Sequence, residues 1–521
     1  MKCSISRYLL AAIVFFTAAT GWTAATEEGT QPTTGKTIEM TLADAVSLAL
    51  RSNRNITIAY LNRVIQKYDL RIAEAEFLPN IRMDVAAGRT YTDTYATLLG
   101  SKSATISESL EAGAILSATQ KLSTGARIAF GWENQSTDLR RKTDGAPASS
   151  SMTPSRWDIT FSQPLLKGGG VAYNRATLVR ARLTEQENLF NLRDSIGSTV
   201  ASVISAYNSF YRASRNLKIR KNALEEAKKQ LETNKILVET GRMAANELIQ
   251  SEAQVADQEY SYEEALNTLD TSLLTLLDVL DIEKSTTIIP ADEVFLREMK
   301  PDYQTCLDIA LQNNSDYIRR VNNVSRSELA LMEEENSRLW NLDLTGGYAK
   351  DYDTYLWKGD ADDAMGRDWH IGLKLTIPFE IYGNDRLVKR QRLLSAKRNV
   401  KVARLNLEEA REDLETDVLN AVRNVHTQLT LLSRARKSLE LAQQKLEIEK
   451  IKLNAGRSTL FQVVSFQNTL VDRQEAEVTQ TISYLTSLTT LDQLLGTTLD
   501  TWKIEILGNY KALEQELMEY R

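Results

Sequence analysis

The feature that most constrains this chain is the stretch 379–521, which contains no proline. Within it, over 386–454, apolar or alanine side chains recur every three or four residues and so share one face of a continuous helix. At about 1.5 Å per residue this helix would be a rod of roughly 100 Å, which must pack lengthwise on other rods. Residues 165–289 also lack proline and carry a second rod. The sequence therefore predicts an elongated, duplicated body.

Matched features support the duplication. Gly241-Arg242 ends the first rod, and Gly456-Arg457 ends the second 215 residues later. Asn53 and Asn314 end similar Leu/Ala-rich segments 261 residues apart. The interval from this asparagine to the glycine that ends the rod is therefore 46 residues longer in the first half than in the second. The extra length falls in the region between the first helix and the rod, where one additional strand hairpin with a loop would account for it.

These landmarks predict the following organisation. A helix capped by Thr41 continues to about Phe77 and opens the first repeat. The full division is a signal peptide (1–25), a first repeat (26–281: helix, β-strands 81–165, long helix 172–240, return helix 244–281), a linker (282–301), a second repeat (302–499: helix, β-strands 342–379, long helix 386–454, return helix 458–495) and a C-terminal tail (500–521).

The N-terminus has the composition of an export signal. Lys2 and Arg7 precede an apolar run at 9–18, and Thr23-Ala24-Ala25 offers a small-residue cleavage site. A membrane anchor is the alternative, although the run is short for a bilayer span. Removal of the signal would leave Cys306 as the one cysteine, without an intrachain disulfide. The net charge of −6 is small for 521 residues and does not suggest a nucleic-acid partner.

Alternating apolar and polar side chains predict β-strands in both halves. The pattern occurs at 81–91, 110–122, 126–132 and 157–162, and again at 342–348 and 369–379. The polar stretches 92–108, 136–155 and 349–368 are predicted to be loops. Strands with one apolar face suit either a half-buried sheet or the lipid-facing wall of a barrel. Four or six strands per chain are both compatible with the pattern, and we favour four, with the additional hairpin outside the barrel. Aromatic residues near the predicted strand ends would suit a membrane girdle: Trp132, Trp157, Tyr348 and Trp369.

Signals for enzyme chemistry are absent from the sequence. His370 and His426 are the only histidines and lie in different contexts, which argues against a His-rich metal site. The three glycines at 168–170 precede a helix, but Lys167 lies before them and no Ser or Thr follows in register, so they are interpreted as a turn. The sequence predicts no catalytic residues, no cofactor and no metal.

The ordered set of these features resembles the outer-membrane efflux protein family, the TolC-like outer-membrane factors. The resemblance rests on 42–53 and its repeat at 306–314, on Gln163-Pro164-Leu165 before the glycine-rich turn, and on the paired breaks at Gly241 and Gly456. It covers about 40–500. It implies a fold that is mostly α with membrane β-strands, in which a long coiled α-helical barrel and a β-barrel are assembled from a trimer of an internally duplicated chain.

The resemblance also implies function, location and partners. It implies a channel-tunnel in the outer membrane of a Gram-negative bacterium, with helices in the periplasm, for multidrug or small-molecule efflux or type I protein secretion. The expected partners are two further copies of the chain, a periplasmic adaptor, an inner-membrane pump and outer-membrane lipid.

Two sets of residues are candidates for functional sites by this resemblance. The helix breaks would be the tips that dock the adaptor: Thr240, Gly241, Arg242, Met243, Gly456, Arg457, Ser458 and Thr459. The same glycines and arginines are also what simple helix C-termini prefer. The periplasmic constriction would be lined by Glu247, Gln462 and Ser465, of which two are neutral where the family commonly has carboxylates. Glu247 in a first helical turn could equally be a partner of the helix dipole.

A periplasmic coiled-coil adaptor or scaffold is the alternative function. An adaptor would show one helical hairpin between two halves of a small β domain. This sequence predicts two hairpins and aromatic-rich alternating strands, which favours the channel.

Overall fold

The computed structural model describes residues 37–98, 101–241, 244–291, 298–357, 360–377 and 384–504. The predicted signal peptide at 1–25, Arg242 and Met243, and the tail beyond 504 lie outside these residues. Within them, no helix combines the length and the apolar character needed to cross a membrane.

Two long helical hairpins dominate the fold. In the first half, α3 (Val171–Asn174) leads into the 64-residue α4 (Ala176–Glu239), and α5 (Ala245–Leu280) returns beside it. In the second half, the 71-residue α8 (Asn384–Asn454) is followed by α9 (Leu460–Leu494) and the short α10 (Thr498–Thr501). Each long helix also packs against a shorter helix from the start of its own half, so the two halves share one arrangement.

The shorter helices are broken where the sequence predicts continuous ones. The first half has α1 (Leu42–Ser52) and α2 (Arg54–Ala75), and the second has α6 (Tyr303–Asn313) and α7 (Ser315–Ser337). The expectation of one helix from Thr41 to Phe77 is therefore wrong, because Asn53 is extended and caps a new helix. Asn314 does the same in the second half. The capping box of Thr41 and Asp44 is confirmed.

The strands form two sheets. A small parallel pair joins β1 (Thr37–Met40) to β6 (Thr287–Pro290), so the predicted linker 282–301 contains a strand that returns to the start of the chain. The large sheet is antiparallel throughout, in the order β2-β3-β4-β5-β7-β8. Its strands are β2 (Asn80–Leu98), β3 (Ser101–Lys121), β4 (Arg127–Thr143), β5 (Ala146–Pro164), β7 (Asn341–Trp357) and β8 (Asp360–Thr376).

The preference for four strands per chain is wrong, since the sheet has six. The predicted loops at 92–108, 136–155 and 349–368 are also wrong, because cross-strand pairing continues through most of each of them. In these outer segments most side chains on both faces are polar, so the alternation that marks a half-buried strand is lost although the backbone hydrogen bonds remain. The β4–β5 turn is formed by Asp144 and Gly145, both with positive φ, which suits a tight hairpin turn.

Each half has its own hydrophobic core at the level of the broken helices. The first packs α1 and the end of α5 on α4, around the buried Tyr207, Phe210 and Leu277. The second packs α6 and the end of α9 on α8, around Val418, Val425 and Tyr484, and includes the buried Cys306. The cores anchor the middle of the rods, and the rods extend from there to their turns.

Candidate functional site

The first helical turn ends α4 at Thr240 and Gly241. The Thr240 hydroxyl donates to the carbonyl of Ile236 at 2.8 Å, and the Gly241 amide donates to the carbonyl of Val238 at 3.0 Å. Gly241 has a φ of +67° with open space around its Cα, so the backbone conformation, and not crowding, favours glycine there. Thr240 and Gly241 are both exposed at the end of the hairpin.

The second turn has a complete Schellman arrangement at the end of α8. Gly456, with a φ of +69°, donates to the carbonyl of Leu453 at 2.9 Å, and the Arg457 amide donates to the carbonyl of Lys452 at 2.9 Å. Thr459 then caps α9 by accepting from the amide of Gln462. The C-cap interpretation of the glycines is therefore correct, and it leaves Arg457 and Thr459 exposed at the tip.

Each hairpin has one buried polar residue just before its turn, at equivalent positions in the two halves. The sequence analysis did not identify these two residues. Asn234 is fully buried and donates to the hydroxyl of Ser251 at 2.7 Å, which ties α4 to α5. Glu449 lies 215 residues later and accepts from the Ser458 hydroxyl at 2.6 Å and the Lys452 ammonium at 3.0 Å. The 215-residue offset of Gly241 and Gly456 could have identified the pair.

The charge on Glu449 distinguishes the two turns. The hydrogen bonds from Ser458 and then Lys452 hold the pKa of Glu449 below its ordinary value. The second turn is consequently held by an ionised carboxylate, whereas the first is held by a neutral amide and a hydroxyl.

Exposed apolar side chains flank both turns and were also missed by sequence reasoning. Ile236 and Ile451 occupy matching positions, and both are more than half exposed. Ile249 is exposed on α5, and Phe461 is 64% exposed at the start of α9. Both helices of each hairpin thus present an exposed apolar side chain near the turn.

The predicted constriction residues lie on the first turns of the return helices. Glu247 and Gln462 are half-buried and Ser465 is exposed. Glu247 follows the uncapped Ala244, where a carboxylate suits the positive end of the helix dipole. Among the described residues, no hydrogen bond connects Glu247 to Gln462 or Ser465.

The two hairpins are joined to each other further along the rods. Arg220 on α4 forms two contacts with the carboxylate of Glu475 on α9, at 2.6 and 2.8 Å. Closer to the tips, Gln254 on α5 donates to the side-chain oxygen of Asn468 on α9 at 2.9 Å. Bidentate Arg–carboxylate pairs have a defined geometry, so Arg220 and Glu475 fix the relative position of the hairpins.

The large sheet has one apolar face and one charged face. Residues paired directly across strands share a face, so one apolar row can be followed through all six strands: Ile81, Ala118, Phe130, Ile159, Tyr348 and Trp369. Trp132 and Trp157 pair in the next row, and the rings of Trp157 and Tyr348 are 5.4 Å apart. The predicted aromatic residues are thus brought together on the apolar face.

The opposite face carries charged side chains at the same level. One row contains Asp84, Glu133, Arg156 and Asp351, and Arg156 donates to Asp351 at 2.9 Å. The sheet therefore separates an apolar surface from a polar one.

Comparisons with known proteins identify this architecture. The structure is similar to the CmeC outer membrane channel of Campylobacter jejuni, with a TM-score of 0.59, 17% identity and coverage of 91% of this chain and 88% of that chain. For the open state of the MtrE channel of Neisseria gonorrhoeae the TM-score is 0.60 and the identity 16%, with coverage of 88% of this chain and 89% of that chain. For VceC of Vibrio cholerae the TM-score is 0.58 and the identity 14%, with coverage of 87% of this chain and 96% of that chain. No curated protein sequence matches the chain.

The fold is therefore the one that these outer-membrane channels share, and the predicted mostly α, internally duplicated fold with a β domain is confirmed. The family model described as "Outer membrane efflux protein" matches residues 310–497, which are most of the second repeat. The resemblance to the outer-membrane efflux proteins is thus confirmed.

Proposed function

We propose that this protein is an efflux channel of the Gram-negative outer membrane, formed by three copies of the chain. The observation that carries the proposal is the six-stranded sheet, in which one apolar row runs through all six strands on one face and charged side chains lie on the other. The apolar face suits lipid, and the charged face suits a water-filled lumen. The helical hairpins would continue the conduit into the periplasm, and a signal peptide at 1–25 would direct export.

The division into two repeats separated by the 282–301 linker belongs to this proposal. The alternative of a periplasmic adaptor or scaffold has no support, since the matching structures are channels and the chain has two helical hairpins.

We further propose that the two turns dock a periplasmic adaptor, which links the channel to an inner-membrane pump. Support comes from the exposed Thr240, Gly241, Arg457 and Thr459, together with the exposed apolar Ile451 and Phe461 beside them. An apolar patch next to a rigid polar turn offers both buried area and defined hydrogen-bonding groups to a partner.

Glu247 is the proposed charged residue of the constriction. Three copies would contribute three carboxylates, a ring that favours cations. Gln462 and Ser465 would contribute only neutral groups, so the selectivity of this ring would rest on Glu247.

The experiment that tests the channel is conductance of the purified protein in planar lipid bilayers, after extraction from outer membranes with detergent. We expect discrete conductance steps from a three-chain species. Release of the protein by salt alone, or the absence of any conductance, would contradict the proposal.

Glu247→Gln should lower the preference for K⁺ over Cl⁻ in the same conductance measurement. Glu440→Gln, on an exposed helix face, is the matched control.

The docking proposal has its own test. Phe461→Ala should leave bilayer conductance unchanged and should reduce efflux of a fluorescent dye from cells of the host strain. Lys437→Ala, an exposed residue of α8 away from the turn, is the control. Normal dye efflux by the Phe461 variant would remove Phe461 from the docking surface.

A further inference from the structure

We propose that the sheet is one third of an 18-stranded barrel, closed by pairing of β8 from one copy with β2 of the next. The proposal rests on the trimeric channel proposed above and adds the strand number and the register of the contact. Six strands per chain and three copies make 18, whereas four per chain would make 12.

The two edge strands are unprotected. Among the described residues, β2 pairs only with β3 and β8 pairs only with β7. Their apolar side chains are strongly exposed, including Val85 at 72% and Trp369 at 76%. Edge strands of soluble sheets are normally short or protected, whereas these strands have 19 and 17 residues and each carries an apolar run on one face. Such edges are suited to pairing with another copy.

The strand directions allow this closure. Neighbouring strands are antiparallel across the whole sheet, so an even number of strands makes β2 and β8 run in opposite directions. Copies placed side by side would then continue the antiparallel pattern without interruption, as transmembrane barrels require.

The apolar face shows that the strands are tilted. Toward the β-hairpin ends, the first charged side chain on this face is Arg89 on β2 and Arg367 on β8. Arg367 is in the row of Met83, which runs through Leu116, Trp132, Trp157 and Lys350. The boundary of the apolar band therefore shifts by six positions, from 89 to 83, over the five steps between six strands.

This shift gives an angle. Six residues at about 3.3 Å span ~20 Å along the strands, and five steps at about 4.8 Å span ~24 Å across them. An apolar band that is level in a membrane would then require strands tilted by roughly 40°, and closed barrels have tilts of about 35–45°. The offset between the two edge strands thus corresponds to the tilt of a barrel wall.

The additional hairpin cannot lie outside the barrel in this structure. β3 pairs with β4 from Thr105↔Thr143 to Lys121↔Arg127, so the outer edge of β4 is occupied over its whole length. A barrel of four strands per chain would have to break this pairing. The lumen of an 18-stranded barrel would be about 1.5 times as wide as that of a 12-stranded one, because barrel diameter grows with strand number.

Alignment of the two apolar runs predicts the register between copies. On β8 the run is Trp369, Ile371, Leu373 and Leu375, and on β2 it is Ile81, Met83, Val85 and Ala87. Antiparallel pairing that places one run opposite the other brings Trp369 to Ala87 of the next copy and Leu373 to Met83.

Cysteine cross-linking tests this contact in the full chain. Met83→Cys with Leu373→Cys should give disulfide-linked dimers and trimers after oxidation, because directly opposed residues are about 4.5–5.5 Å apart. Met83→Cys with Arg367→Cys, displaced by six residues or ~20 Å, should give none. Each single-cysteine variant controls for the native Cys306, which is buried.

A third pair distinguishes the possible failures. If the β2–β3 hairpin lay outside the barrel, Phe130→Cys on β4 would cross-link to Leu373→Cys instead. That result, or a trimer without any of these cross-links, would overturn the 18-stranded barrel and leave the channel proposal standing. Absence of a trimer before oxidation would overturn the channel proposal itself.

Discussion

At the scale of single residues, Gly241 and Gly456 have the same role, since each ends a long helix with a positive φ. The two turns that they form are stabilised by different side chains. Both have positive φ, and neither has an atom within 4 Å of the Cβ that a larger residue would add. Substitution at either position is therefore a test of backbone conformation without steric change.

Gly456→Ala is expected to destabilise the second tip by about 1 kcal/mol, because alanine is disfavoured at positive φ. Hydrogen exchange of the amides at 449–463 would measure the effect. Gly197→Ala is the control, since Gly197 is inside α4 and an added Cβ would lie 3.8 Å from Thr498. The control variant should be neutral or slightly stabilising, and equal destabilisation by both would contradict the conformational explanation.

Glu449 makes the second tip sensitive to acid. Since its pKa is lowered in the folded state, its contribution is fully present above the unfolded pKa of about 4.3 and is lost as the pH falls through the folded value. We expect amide exchange around Ser458 to accelerate relative to that around Gly241 as the pH is lowered. Glu449→Gln should accelerate exchange at Ser458 already at neutral pH. A pH response of the same size at both tips would rule out the role of Glu449.

At the scale of elements, the breaks in the shorter helices at Asn53 and Asn314 cannot be seen from the hydrophobic periodicity alone. Asn53 accepts from the amide of Asn55 at 2.8 Å and donates to the carbonyl of Val279 at 2.8 Å. Asn314 accepts from the amide of Tyr317 and donates to the carbonyl of Leu494, both at 3.0 Å. Each asparagine thus caps one helix and holds the end of the return helix of its own half.

Asn53→Asp separates these two contributions. Aspartate preserves the cap but loses the donor and places a carboxylate against a carbonyl, so we expect a loss of about 1–3 kcal/mol. Asn53→Ala should lose the cap as well, for about 1 kcal/mol more. Thermal unfolding of the detergent-solubilised protein would measure both. Asn55→Asp, on an exposed first-turn residue, should have little effect or stabilise slightly.

At the scale of the whole molecule, the apolar face of the sheet is the surface that we propose contacts lipid. Trp132, Trp157 and Trp369 share this face, while Trp502 follows α10 in the helical body. The position of tryptophans relative to lipid is therefore a direct readout of the membrane topology.

In vesicles of brominated lipid, the fluorescence of the wild-type protein should be strongly quenched. Trp369→Phe should reduce the quenched fraction, because Trp369 is the most exposed of the three, and Trp502→Phe should not. Equal quenching of the two variants would contradict insertion of the sheet in lipid.

Much of this molecule could be read from the chain, because helical periodicity, the paired glycines and the Thr41 box depend on neighbours three to five residues away. The rods and their turns follow from such local rules, and the 215-residue offset between the two glycines indicates the duplication. Ile236 and Ile451, by contrast, continue the apolar pattern of their helices, and only the folded structure reveals that more than half of each is exposed.

The strand number, the break at Asn53 and the inter-hairpin pair Arg220–Glu475 depended on partners far away in sequence. In the outer parts of the strands, both faces are polar, so only backbone pairing with a neighbour distinguishes strand from loop. At Asn53, the break in the helix is likewise accompanied by a hydrogen bond from the side-chain amide to the distant carbonyl of Val279. Local rules thus determined which elements form, and hydrogen bonds between residues far apart in the sequence determined how many strands align and where the helices end.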